Sequence, residues 1–302
     1  MRNTFTIAGK ELQGYFVQPV AYVVLTVFLL LGGWFFFAML RQFDEMVQLI
    51  QMMGQSDQLK QMNLNSRVID PLLHDLSIVL VIVMPALTMR VFAEEKRTGT
   101  YELLLTAPIR TGEIVAGKFI AAASFTLIMV ALAWIFPLIL IIFGDPEVGV
   151  MFAGYLGLAL LALSFVAVGL FTSSLTQNQI VAAISSFGLL ILLYVISWPA
   201  EAGGGIVSSV LTYLSLPTHF STMTRGVIDT SDIVFFLSVI VLALFLTQRS
   251  VESSRRRWWR DSRVRSWRGQ WDFPRPYRLP GDARSHRQCR RQCCYPRGSG
   301  PA

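Results

Sequence analysis

The chain has 302 residues, 53% hydrophobic and 15% charged, and a mean hydropathy of +0.52, a composition that excludes an ordinary soluble domain. Its net charge of +7 is misleading, because fourteen Arg against three Asp between Arg255 and Ala302 contribute +11 and leave −4 on everything before them. All three cysteines (Cys289, Cys293, Cys294) lie in the same stretch, so the rest of the chain has neither a disulfide framework nor a thiolate metal site.

Residues 1–18 read as a cytoplasmic interfacial helix. Phe5, Ala8, Leu12 and Phe16 recur at spacings of three and four and make one apolar face, with Lys10, Glu11 and Gln13 pointing elsewhere. No short apolar run with a small-residue cleavage site is present, so the first span is expected to be retained. Pro19 breaks the helix before that span, about residues 20–40. Three long runs contain no charge, Leu12 to Leu40, Phe119 to Gly144 and Val148 to Ala200, and about 20 apolar residues cross a bilayer. The fold class is therefore all-α, a polytopic membrane protein.

Residues 41–70 form a polar outer loop with balanced charges, in which Phe43, Met46, Val47, Ile50 and Met53 suggest a short external helix. The second span, about 72–92, places His74 and Asp75 near one interface and Arg90 near the other, since a charge at mid-bilayer costs about 2.5–3.5 kcal/mol. Pro85 is expected to kink it. His74, Asp75, Arg90, His219 and Arg225 are candidates for membrane-boundary or pathway roles, because ionisable residues at membrane depth default to function.

Phe92 to Phe119, FAEEKRTGTYELLLTAPIRTGEIVAGKF, is the most charged span of the first 250 residues and is expected to stand in water and meet a partner. Thr98-Gly99-Thr100 is a break followed by a helix cap, Glu102 sits in the first turn of the next helix, and Pro108 stops it. Thr111 is expected to cap the following helix. Leu103 and Leu104 make the short helix partly apolar, a shape suited to docking in a groove. Residues 112–119 nearly spell a phosphate-binding loop, but Phe119 has no hydroxyl and no strand precedes it, so ATP binding is not expected there.

A third span follows near 118–143, then a tight outer turn at Gly144-Asp145-Pro146. The polar cluster Thr172 to Gln179 divides the next run into spans near 150–171 and 180–198. Residues 200–232 have the mixed character of half-helices re-entering the outer leaflet, and 233–247 supply a sixth, short span. Six spans put both termini on one side, and the Lys and Arg distribution makes that side cytoplasmic.

The charged segment resembles the cytoplasmic loop of ABC-2-type permeases in its EEK-R-x-G-T, E-L-L-L-x-x-P and E-I-V-x-G-K pattern. KELQGYFVQPVAYVVLTVF (10–28), MPALTMR (84–90), GLFTSSLTQNQIVA (169–182) and HFSTMTRGVID (219–229) are similar to the same family, nearest its gliding-motility-associated branch. The likeness runs from about residue 8 to 252. It implies a non-enzymatic permease subunit of an ATP-driven exporter in a bacterial inner membrane. It also implies a second permease subunit, identical or paralogous, and a separate ATPase subunit that holds ATP and Mg, with no cofactor on this chain. Glu94, Glu95, Lys96, Arg97, Gly99, Thr100, Glu102, Leu103 and Leu104 would then form the coupling helix, within a coupling loop at 92–118. A non-transporting membrane anchor of a motility or assembly complex and a proton-coupled carrier are the alternatives.

The six-span domain is thus 19–248, and residues 249–302 are a separate tail. The tail uses Arg and never Lys, with Trp258, Trp259, Trp267 and Trp271, and reads as a disordered, frame-shifted extension. Lipid or nucleic-acid binding are its alternatives; the partners adopted are the bilayer and proteins, not nucleic acid.

Overall fold

Helices make up all the regular structure among the described residues, which are 2–54, 64–100, 110–143, 147–196 and 206–269 of a computed structural model. In chain order they are α1 (Arg2–Val17), α2 (Pro19–Met52), a π-helical turn (Asn65–Ile69), α3 (Asp70–Thr88), α4 (Arg90–Thr98), α5 (Thr111–Leu132) and α6 (Ile135–Phe143). Then follow α7 (Val148–Leu175), α8 (Gln179–Val195), α9 (Ile206–Leu214), α10 (Leu216–Thr224) and α11 (Thr230–Gly269). Met1–Arg255 is one compact unit and Arg256–Ala302 a second.

Among the described residues, five helical stretches are long and apolar enough to cross a membrane: Pro19–Met52, Asn65–Thr98, Thr111–Ile142, Val148–Leu175 and Thr230–Arg255. Gln179–Val195 is apolar but only 17 residues long, about 26 Å at 1.5 Å per residue. The chain is therefore a multi-pass α-helical membrane protein, with five spans by length where the sequence predicts six.

Helix ends follow local chemistry. Gln18, extended at φ −83° and ψ 130°, separates α1 from α2, and Pro19 opens α2, where its missing N–H costs nothing. α2 then runs unbroken to Met52. The first span does not end at residue 40 as hydropathy predicts, because Arg41 to Met52 has no helix breaker, and the outer loop begins as helix up to Met52. Its 34 residues reach about 51 Å, so α2 projects beyond a hydrocarbon core of about 30 Å. The described part of the Arg-rich tail is similarly helical. α11 continues to Gly269, where irregular chain is expected from 249, since residues 249–268 contain neither Pro nor Gly.

The break between α5 and α6 has a single cause. Pro137 cannot donate to the carbonyl of Ala133 and crowds it; Phe136 N at 3.2 Å and the Tyr155 hydroxyl at 3.0 Å donate to that carbonyl in its place. Trp134 closes the kink against Phe152 and Tyr155, with ring centroids 4.6 and 4.9 Å away. Between α7 and α8 the polar stretch Thr176–Asn178 interrupts the apolar run, and the Asn178 side chain caps α8 by accepting from Ile180 N at 3.0 Å. α9 and α10 have nine residues each, about 14 Å, too short to span. The outer turn at 144–146 and residues 200–205 lie outside the described residues.

α7 is the central helix, packed by α3, α5, α8 and α10. Glycines allow the approach. A Cβ on Gly169 would lie 2.2 Å from Thr88 Oγ1, and one on Gly157 2.9 Å from Met223 Cβ, the small-residue packing that membrane helices use in place of a hydrophobic drive. Gly169→Ala should therefore cost about 1–3 kcal/mol, seen as a lower melting temperature in detergent, and Thr88→Ala should recover part of it. α2 is the least covered span, with 22% of its apolar window buried against 72% for Asn65–Thr98. It turns Tyr22, Val27, Leu30, Trp34 and Phe37 outward.

Candidate functional site

The charged segment is not a free loop. Its first part is α4, which continues from α3 after a break at Met89 and ends at Gly99, whose φ of +76° is the left-handed cap that glycine adopts without strain. The break frees the N–H groups of Phe92 and Ala93, and both donate to Ser173 Oγ of α7 at 3.2 and 3.3 Å. Ser173 in turn donates to Met89 O at 3.1 Å. One hydroxyl thus closes the gap. Lys96 Nζ donates to Ser174 O, where the last turn of α7 presents unsatisfied carbonyls and the negative end of its dipole.

Lys118 lies two turns into α5 and is 1% exposed. Its ammonium pairs with Glu11 Oε1 of α1 at 2.8 Å and Glu95 Oε1 of α4 at 2.7 Å. It also donates to Val91 O at 3.0 Å and sits 5.3 Å above the Phe92 ring. All three N–H bonds are thereby used. The near phosphate-loop motif at 112–119 is helix throughout, and its lysine is committed to these three acceptors.

α1 docks on α5 beside this triad. Gly117 admits Ile7, whose Cγ2 would be 2.9 Å from an added Cβ, and Tyr15 stacks on Phe125 at 5.6 Å. The apolar face predicted for α1 is split. Ala8 is buried while Phe5 and Phe16 are exposed. Glu11, predicted to point away, faces inward. Burial, and after it the Glu11 carboxylate, hold the Tyr15 phenol above its ordinary pKa. Thr111 does not cap α5; Arg110 occupies the cap position, and the Thr111 hydroxyl donates to Glu252 of α11 at 3.3 Å.

The predicted coupling residues therefore fall into groups. Glu95 and Lys96 are turned into the protein, which overturns the expectation that the whole segment stands in water. Glu94 is half-buried, and Arg97, Gly99 and Thr100 are exposed. Thr100 Oγ1 turns back on the preceding helix, 3.4 Å from Glu95 O. Glu102, Leu103 and Leu104 lie outside the described residues.

The boundary candidates separate in space. Arg90 lies beside Glu94, Glu95 and Lys118. At the other end of α3, His74 is 3.7 Å from Asp70 and edge-on to Phe220 at 5.5 Å, with Asp75 next to it in the helix, half-buried. Arg225 is exposed and lines a cavity of about 290 Å³ with Asn65, Asp70 and Glu147. His219 is buried, with Nδ1 2.6 Å from Asp232 Oδ1 and Nε2 2.9 Å from Tyr213 O, and it stacks on Phe235 at 4.0 Å. Both ring nitrogens face acceptors, so Nε2–H donates to the carbonyl. A second proton lies between Nδ1 and Oδ1, on the ring or on the carboxyl. Asp232 escaped the sequence reading although it stands in the first turn of α11, where an acid is favoured.

The described residues thus form a multi-pass helical bundle with a charged helix clamped at the end of its second span. The chain matches the ABC-2 family transporter protein model over residues 5–257 and belongs to that family. No curated protein matches it at a significant level.

Proposed function

We propose that this chain is the membrane-spanning permease subunit of an ATP-driven ABC-2-type exporter, and that α4 with the residues after it is the element on which a separate ATPase acts. The observation that supports this most is the clamping of α4. Lys118 ties it to α1 and α5, and Ser173 with Ser174 ties it to α7. A push on the exposed tip, Arg97 to Thr100, is delivered to three helices at once and not absorbed by a loose linker. Glu102, Leu103 and Leu104 complete the docking surface in this reading. ATP and Mg reside on the partner.

α8 serves as the sixth span; its shortfall against the bilayer is of the size that local thinning accommodates. Both termini are then cytoplasmic, in agreement with the Lys and Arg distribution, and α9 and α10 re-enter from the outer side. The uncovered face of α2 suits a second permease subunit as well as lipid. The resemblance of the sequence as a whole favours the gliding-motility-associated branch.

Co-purification of the full chain with its cognate ATPase tests this reading. Arg97→Glu combined with Glu102→Lys should lower ATPase recovery about tenfold with the melting temperature unchanged. Glu95→Lys is the wrong probe, since it places a second cation against Lys118 and should lower the melting temperature itself. If the parent chain retains no ATPase, the exporter reading fails and the membrane-anchor reading replaces it.

A further inference from the structure

The groove between α1 and α4 forms a cleft of about 170 Å³ whose charged and polar lining includes Glu11, Tyr15, Arg90, Glu94, Glu95 and Lys118. Lys118 and Glu11 satisfy each other, and Lys118 has no donor left for an occupant. Glu95 is satisfied through Oε1 only, and Arg90 and Glu94 keep open groups. Arg90 and Glu94 stand one turn apart on α4, at the spacing that normally pairs, yet among the described residues neither forms an ion pair within 4 Å. Arg90 Nε and Glu95 Oε2 are buried and have no hydrogen-bond partner. A buried donor and a buried acceptor left open cost about 1–3 kcal/mol each unless something fills the cleft.

Water can satisfy each atom singly, but the arrangement has a polarity that water does not need. A guanidinium with an open N–H lies beside the unpaired carboxylate of Glu94 and the open second oxygen of Glu95, both of which need an N–H donor. The matching occupant is a small zwitterion with a phosphate and a primary ammonium. Position selects its source. Arg90 directly follows the apolar α3, at the depth where lipid phosphates lie. One wall of the cleft is α1, which turns Phe5, Phe16 and Val17 outward as a helix in the headgroup layer does.

We propose that this cleft binds the phosphoethanolamine headgroup of a membrane phospholipid, its phosphate on Arg90 and its ammonium between Glu94 and Glu95. A choline headgroup has no N–H to donate to the carboxylates, and a glycerol headgroup leaves them uncompensated. The proposal rests on α1 lying at the membrane surface and not on ATPase docking, so its failure leaves the coupling reading standing.

The test is native mass spectrometry of the full chain in detergent, offered phosphatidylethanolamine, phosphatidylcholine and phosphatidylglycerol of the same acyl chains. Phosphatidylethanolamine should be retained about tenfold over the other two. Arg90→Gln should abolish that retention. Glu94→Gln, at a half-exposed position with no partner to lose, should erase the preference over phosphatidylcholine with the melting temperature unchanged. Equal retention of the three lipids, or a preference that survives Glu94→Gln, overturns the assignment. Free phosphoethanolamine should not displace the lipid at equal concentration; displacement would overturn the membrane as source.

Discussion

Lys118→Met should destabilise the protein by about 3–5 kcal/mol, the range measured when one member of a buried ion pair is removed. The side chain is 1% exposed and stands between Glu11 and Glu95, both accepting within 2.8 Å. Without the ammonium, two carboxylates face each other across the space it leaves, and Val91 O loses its side-chain donor. Glu95 Oε2 has no partner even in the parent. The cost should reverse when the charges go together: Lys118→Met with Glu11→Gln and Glu95→Gln should recover most of the stability, because a neutral set has no uncompensated charge. Thermal melting of the full chain in detergent, parent against single and triple variants, measures both effects. A single variant that melts with the parent would mean that the triad holds nothing together.

Asp232→Ala should be nearly as damaging, again about 3–5 kcal/mol. It leaves His219 Nδ1 facing an empty space in a site where the ring is 7% exposed, and it removes the link between α10 and α11. Asp232→Asn should cost about 1–2 kcal/mol. An asparagine amide can donate to Nδ1 of a neutral ring while Nε2–H remains on Tyr213 O, so the contact survives without the carboxylate. The ordering parent, Asn, Ala in melting temperature is the expected result. Equal losses for Asn and Ala would show that charge, and not the hydrogen bond, holds the pair.

The features legible in the sequence are those with local causes. Pro19 marks the end of α1, the polar cluster after Thr172 separates α7 from α8, and the uncharged runs mark most of the spans. Hydropathy failed at α2, because it reports where lipid ends and not where helix ends; Arg41 to Met52 has helix-forming residues and no reason to stop. It also misses the break at Pro137, where the Ala133 carbonyl is shared between Phe136 N and the distant Tyr155 hydroxyl. Charge marks the segment correctly, but it does not announce the surroundings of Glu95 and Lys96. Glu95 and Lys96 look like solvent residues in one dimension. Their partners, Lys118 and Ser174, are 23 and 78 residues away, and no periodicity announces them. Glu11 likewise departs from the apolar stripe of α1 only because a lysine on α5 meets it. Asp232 was overlooked as a boundary residue, and its pairing with His219 needs α9, α10 and α11 to fold back on one another.

The triad also dictates an order of assembly. Glu95 and Lys118 are 23 residues apart, whereas Glu11 must wait for a lysine 107 residues later. At about 5–20 residues per second of synthesis, the first helix leaves the ribosome roughly 5–20 s before its counter-ion exists. Throughout that interval Glu11 has to stay hydrated, which keeps the amino-terminal segment out of the insertion machinery while the first two spans are threaded. The bond that later locks the helix down thus also records that the third span has arrived.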